Sequence, residues 1–214
     1  MKTVLITGAS SGIGLAAAIA AAEAGFTTVA TVRRPDGELA VREAAEKAGV
    51  CVDVVRLELT DPESVHDCIE SVISRHGRLD ALVNNAGIAG INHTLELSSM
   101  AVLRASMEVN FFGVVAMSQA AMAHLRATRG RLITISSVRE AIFRQYREWV
   151  GTGAVEGAQL VRSVAEVVVY ALTADRPPLR IQTSEYARRY VSRKLADPDG
   201  HLVQELTRAW LRGH

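Results

Sequence analysis

Thr7-Gly8-Ala9-Ser10-Ser11-Gly12-Ile13-Gly14 is the stretch on which the reading of this chain turns. It follows the apolar run Val4-Leu5-Ile6 and opens the alanine-rich segment 15–24. A short buried strand, a turn with glycines spaced Gly-x-x-x-Gly-x-Gly and a helix together build a dinucleotide site. The glycines permit the tight turn and let backbone N–H groups approach a pyrophosphate, while the helix N-terminus adds orphan donors and a partial positive charge. Gly8, Ser10, Ser11, Gly12, Ile13 and Gly14 are therefore candidate cofactor contacts. A P-loop fits poorly, since no Gly-Lys-Ser/Thr follows at the required spacing.

Working outward, 26–32 follows Gly25 and reads as a second strand, and 38–48 as a charged amphipathic helix stopped by Gly49. A third strand is expected over 50–59. Thr60-Asp61-Pro62-Glu63 has the form of a capping box and starts a helix to about residue 75. Strands are expected at 79–84 and 131–136, separated by a long helix capped by Ser98 or Ser99 and running to about 127. Such alternation implies an α/β, Rossmann-type doubly wound parallel sheet of order 3-2-1-4-5 in a three-layer sandwich. Beyond Ser137 the pattern changes. Helices are expected over 139–149, 164–173, 184–196 and 200–212, with 179–182 as a candidate short C-terminal strand.

Composition sets the outer limits. A chain of 214 residues, 49% hydrophobic, buries one sizeable core, so 1–214 reads as a single domain. A net charge of +1 with scattered basic residues points to neither nucleic acid nor an anionic membrane. The apolar segment 15–24 is too short to span a bilayer, and the residues before Thr7 are too few for a signal-peptide core. With Cys51 and Cys68 read as reduced thiols, the expected location is cytoplasmic. The six histidines and two cysteines show no metal-ligand spacing, so no metal site is expected.

The glycine turn resembles the Thr-Gly-x-x-x-Gly-x-Gly of the short-chain dehydrogenase/reductase family. Asn84-Asn85-Ala86-Gly87 after the fourth strand is similar to that family's Asn-Asn-Ala-Gly, and Asn110 and Ser137 match its asparagine and serine positions. The resemblance implies hydride transfer between a nicotinamide cofactor and a carbonyl or secondary alcohol of a small-molecule substrate. It implies that Asn85, Ala86 and Gly87 wall the cofactor site, that Glu58 and Leu59 stand beside adenine, and that Asn110 and Ser137 are catalytic. Arg33-Arg34 follow the second strand, where arginine suits the 2′-phosphate of NADP and an acidic residue would suit NAD. NADPH is therefore expected to be preferred over NADH.

One part of the family pattern is missing. A tyrosine and a lysine belong about thirteen and seventeen residues after the serine, where this chain has Val150 and Ala154. The lysines are Lys2, Lys47 and Lys194. Tyr190 and Lys194 have the right mutual spacing but lie too late in the chain, so they are read as helix-surface residues. The region 139–214 is accordingly read as a truncated C-terminal part with helices near the substrate side, lacking the Tyr-x-x-x-Lys block. Two readings stay open: a longer parent that is an oxidoreductase, or a dinucleotide-binding chain without catalysis. Loss of that block leaves Leu132-Ile133-Thr134-Ile135 as an apolar edge, to be covered by 179–182 or by a homo-oligomer.

Overall fold

Alternation of faces along two short strands organises the molecule. In β1 (Thr3–Ile6), Val4 and Ile6 point into one core cluster and Leu5 into the other, and all three are fully buried. The neighbouring β4 (Ala81–Asn84) does the same with Val83 and Leu82. Strands buried on both faces need helices on both faces, which is the condition that parallel crossovers meet.

The computed structural model describes residues 1–88, 98–136 and 161–185, together with 187, 188, 191, 192 and 196. Between β1 and β4 run α1 (Gly12–Glu23), β2 (Thr27–Val32), α2 (Pro35–Ala48), β3 (Val52–Arg56) and α3 (Pro62–His76). After β4 come α4 (Met100–Met107), a π-helical turn (Glu108–Gly113), α5 (Val114–Thr128), β5 (Arg131–Thr134) and α6 (Val161–Thr173). All strand pairs are parallel and the order is β3-β2-β1-β4-β5, as the sequence implied.

One core cluster joins α1, α2 and α6 to the sheet through Ala17, Ala18, Ala21, Val41, Ala165, Val168 and Leu172. The other joins α3 and α5 through Val65, Ile69, Val72, Met117, Ala121 and Leu125. Alanines on α1 keep its surface flat, which lets α6 pack directly against it. Each fully buried aliphatic side chain contributes about 1.5–3 kcal/mol.

Strands are shorter than their apolar runs. β3 extends only over Val52–Arg56, the residues that face Thr28–Val32 of β2, because a ladder ends where its partner does. Helix α2 starts earlier than the charge pattern suggested, at Pro35, whose fixed φ suits a first helical position. The cap of α3 is Asp61, whose Oδ1 accepts from the Glu63 N–H at 3.0 Å; the Thr60 hydroxyl is turned to Glu58 instead. Ser99 caps α4, accepting from the Val102 N–H.

The expected strand at 179–182 is absent: those residues join no ladder, and Leu179 is 97% exposed beyond Pro177-Pro178. Within the expected helix 184–196, the described residues 185, 187, 188, 191 and 192 are helical and 184 and 196 are not, with Arg188 N–H donating to Ser184 C=O. The helices expected over 139–149 and 200–212 lie outside the described residues. The helical stretch Met100–Thr128 is long and apolar enough to cross a membrane, which the reading of 15–24 alone overlooked. Its α5 half lies on the sheet through Met117, Ala121 and Leu125.

Candidate active site

Reversal of strand order between β1 and β4 opens a crevice at their carboxyl ends, the place where open α/β sheets hold ligands. The glycine turn enters it from β1 and Asn85 from β4. Gly8 has φ +68°, and a Cβ there would stand 2.7 Å from Ala86 Cα, so both conformation and space require glycine. At Gly14 a Cβ would collide with Asn85 Nδ2 and the Gly8 carbonyl oxygen. The first turn of α1 is thus pressed against the two loops that it closes over.

Thr7 and Asn85 hold this turn in place. Thr7 Oγ1 accepts from the N–H groups of Asn85 and Ala86, both at 3.0 Å, and donates to the Val83 carbonyl. Asn85 Nδ2 donates to the carbonyls of Thr7 at 2.9 Å and Gly8 at 3.0 Å. From the other side the Gly8 N–H donates to Thr31 Oγ1 and the Ala9 N–H to the Thr31 carbonyl. The carbonyls and amides nearest the glycines are thereby committed to β2 and β4.

What is left open faces outward. No side chain caps α1 at Ser11, and its first turn holds no acidic residue. Gly12, with φ +58°, looks into open space. Ser10 and Ser11 are exposed and Ile13 is half-buried beside them. An uncapped helix N-terminus above open space, framed by serines, fits the pyrophosphate of a dinucleotide. Arg33 and Arg34 lie exposed at the end of β2, with Arg34 at the N-cap of α2. At Gly37 a Cβ would fall 2.8 Å from Ser10 Cβ, so the start of α2 is fitted against the glycine turn. The N-termini of α1 and α2 therefore border the same loop, with Arg33 and Arg34 leading into α2.

Glu58 Oε1 accepts from the Thr60 hydroxyl at 2.9 Å and the Thr60 N–H at 3.3 Å, folding the carboxylate onto its own loop. Leu59 is buried against the π-helical turn, where a Cβ on Gly113 would meet Leu59 Cβ at 2.8 Å. That turn carries Asn110. Its Oδ1 accepts from the Ile88 N–H and its Nδ2 donates to the Ile88 carbonyl, both at 2.8 Å, with a further bond to Ser106 Oγ. Asn110 thus clamps the chain just past Gly87. Ser137, Tyr190 and Lys194 lie outside the described residues.

Sequence reading missed Thr31 and the π-helical turn. A hydroxyl at the last inward position of an apolar strand was a usable signal for the first; nothing local announces the second. Asn84, the first residue of the Asn-Asn-Ala-Gly motif, is 2% exposed; its Nδ2 donates to Ser118 Oγ at 3.0 Å, and among the described residues Oδ1 has no partner.

Fold and site together define a dinucleotide-binding α/β protein of the doubly wound kind. The sequence profile of the short chain dehydrogenases matches residues 2–148, more than half of the chain, and the chain belongs to that family. Among its relatives is "11-beta-hydroxysteroid dehydrogenase A" of Sesamum indicum, 39% identical over 140 residues, which are 64% of this chain and 39% of that protein. The chain thus spans well under half of that relative's length. L-sorbose reductase from Gluconobacter frateurii, solved in complex with NADPH and L-sorbose, is 36% identical with a TM-score of 0.58, over 64% of this chain and 52% of that one. A short-chain dehydrogenase from Streptomyces avermitilis shares the fold over 99% of this chain and 97% of its own, with a TM-score of 0.76 at 24% identity.

Proposed function

We propose that this chain binds NADP(H) in preference to NAD(H), and that the protein it represents is an oxidoreductase acting on a carbonyl or secondary alcohol. The carrying observation is the uncapped N-terminus of α1 over the Gly8–Gly14 turn, with Arg33 and Arg34 beside it. Gly8, Ser10, Ser11, Gly12, Ile13 and Gly14 line the pyrophosphate position in this reading. Arg33 pairs with the 2′-phosphate and Arg34 lies beside it; Asn85, Ala86 and Gly87 form the wall. Leu59 supplies apolar surface toward adenine, and Glu58, which accepts from the Thr60 hydroxyl, stands beside it. The NADPH bound by L-sorbose reductase, a relative at 36% identity, supports the cofactor.

A bound nicotinamide would supply or accept the hydride. Asn110 keeps the backbone of Ile88 in place beside that position, and Ser137 is the residue assigned to orient the substrate oxygen. A second reading rests on Val150 and Ala154 standing where a proton-donating tyrosine and its lysine belong. A tyrosine has a pKa near 10 and serves as a base at neutral pH only with such a partner. On that reading the 214-residue chain is a cofactor binder without turnover. Free Cys51 and Cys68 support a cytoplasmic setting in either case.

Fluorescence titration tests the cofactor assignment. Charge-assisted bonds to the 2′-phosphate predict NADPH binding about 10- to 100-fold tighter than NADH, and Arg33→Ala should remove most of that ratio. Equal affinities in the unmutated chain would end the arginine argument. Turnover of a carbonyl panel then separates the two readings: NADPH binding without consumption selects the binder, and steady consumption the oxidoreductase.

A further inference from the structure

β1 and β2 run side by side up to the glycine turn, and their register fixes which donor comes next. Thr3 faces Thr27 and Ile6 faces Ala30, and the Thr27 N–H donates to the Lys2 carbonyl. In a parallel ladder alternate residues bond to the same neighbour, so the even-numbered residues of β1 turn their N–H groups to β2. Next in line after Ile6 is the Gly8 N–H, whose acceptor in a continued strand is the Thr31 carbonyl.

The turn breaks that succession. Gly8 takes φ +68°, and the Thr31 carbonyl accepts from the Ala9 N–H instead, at 2.8 Å. The displaced Gly8 N–H is met by the Thr31 hydroxyl at 3.2 Å. One residue thus holds two successive donors of the turn, one with its backbone and one with its side chain. Thr31 is 1% exposed, so its hydroxyl acts through the turn rather than on a ligand. β2 has a second buried threonine, Thr28, but its hydroxyl donates to the Phe26 carbonyl at the entry of its own strand.

We propose, resting on the cofactor reading above, that Thr31 is a positioning residue for the dinucleotide. Its hydroxyl holds the Gly8 turn in the form that receives the pyrophosphate, and so sets affinity without choosing between NADPH and NADH. Two arrangements compete for the Gly8 N–H. In one the strand runs on and the Thr31 carbonyl takes it; in the other the chain turns at Gly8 and the hydroxyl takes it. Glycine adopts either sign of φ and permits both. The hydroxyl favours the turned form, in which Gly8 lies against Ala86. A site populated only in part binds more weakly by that fraction.

Selectivity is anchored elsewhere. The Val32 carbonyl accepts from the Leu57 N–H at 2.9 Å, and β2 pairs with β3 as far as Val32 and Arg56. Arg33 therefore leaves the sheet from a position tied to β3, on the side of β2 away from the turn. Replacing the Thr31 hydroxyl by a methyl group leaves that anchorage in place.

Thr31→Val makes that replacement with little change of shape. Titrated with NADPH and with NADH, the full chain carrying it should bind both roughly five- to thirtyfold more weakly, with their ratio unchanged. Thr31→Ser keeps the hydroxyl and should restore the parent affinities; Thr31→Ala should show the loss if Thr31→Val fails to fold. Amide exchange in the cofactor-free chain reads the bond itself: Thr31→Val should speed exchange of the Gly8 N–H and leave the Leu5 N–H as it was. Unchanged affinity in Thr31→Val, a loss confined to one cofactor, or a Thr31→Ser chain as weak as Thr31→Val would overturn the proposal. In each of those cases the unmutated chain still binds and the cofactor reading stands. An unmutated chain that binds neither dinucleotide defeats both.

Discussion

At the scale of single residues, the glycine turn shows how few side chains need to be special. Thr7 and Asn85 bind backbone rather than solvent, and in doing so they leave the N-terminus of α1 as the open polar surface of the crevice. Cys68 and Cys51 form an instructive pair. Burial on α3 pushes the Cys68 thiol up to about 12, while Cys51 is exposed before β3. A thiol reacts as its thiolate, so native protein treated with iodoacetamide at pH 8 should gain one adduct, at Cys51, by intact mass. Denatured protein should gain two. Two adducts on the native protein at the same rate would contradict the packing of α3. The residue types of the site were readable in advance, because glycine spacing and Asn-Asn-Ala-Gly are local patterns. The engagement of Glu58 by Thr60 was not, since it depends on how the loop after β3 turns.

Among the elements, α6 is held by an interaction that no pattern in its own sequence reveals. Its last carbonyls are met by Arg131, forty residues earlier in the chain for Ala171. A cation at a helix C-terminus stabilises both the orphan carbonyls and the helix dipole, by up to about 2 kcal/mol when partly buried. Arg131→Met keeps the aliphatic stem and removes the charge. It should speed hydrogen exchange along α6 while leaving α3 unchanged; uniform exchange in variant and parent would show that apolar packing alone seats the helix. The long helix makes a similar point. Its existence and its Ser99 cap follow from sequence, but the π-helical turn that carries Asn110 to Ile88 and Gly113 against Leu59 does not.

For the whole molecule, one carboxylate links two strands and sets an acid limit on stability. Asp80 is 7% exposed, accepts from the Thr3 N–H at 2.8 Å and pairs in a two-point contact with Arg78. Burial acts to raise its pKa, but the bonds from Arg78 and Thr3 and the Arg78 charge outweigh it and hold the carboxyl below its usual value. A group depressed in the folded state contributes stability above its unfolded pKa, near 3.9, and loses it as pH falls through the folded value. Thermal stability should therefore drop as pH is lowered below about 4. Asp80→Asn should cost a few degrees of Tm at pH 7, with the gap closing in that acid range. A constant gap from pH 7 to pH 3 would refute the assignment.

Local information alone determined a good deal here. Apolar runs of strand length, glycine and proline stops, and a glycine-spaced turn defined the strand–helix alternation, and the right-handed crossover rule then left the order 3-2-1-4-5. These are properties of a few neighbouring residues, so they can be read without coordinates. Strand ends, the failure of 179–182 to form a strand and the Arg131 cap on α6 were decided by tertiary structure. Each depends on what lies beside a segment rather than within it. A ladder stops where its neighbour stops, and a hydrogen bond across dozens of residues leaves no periodic trace in the chain.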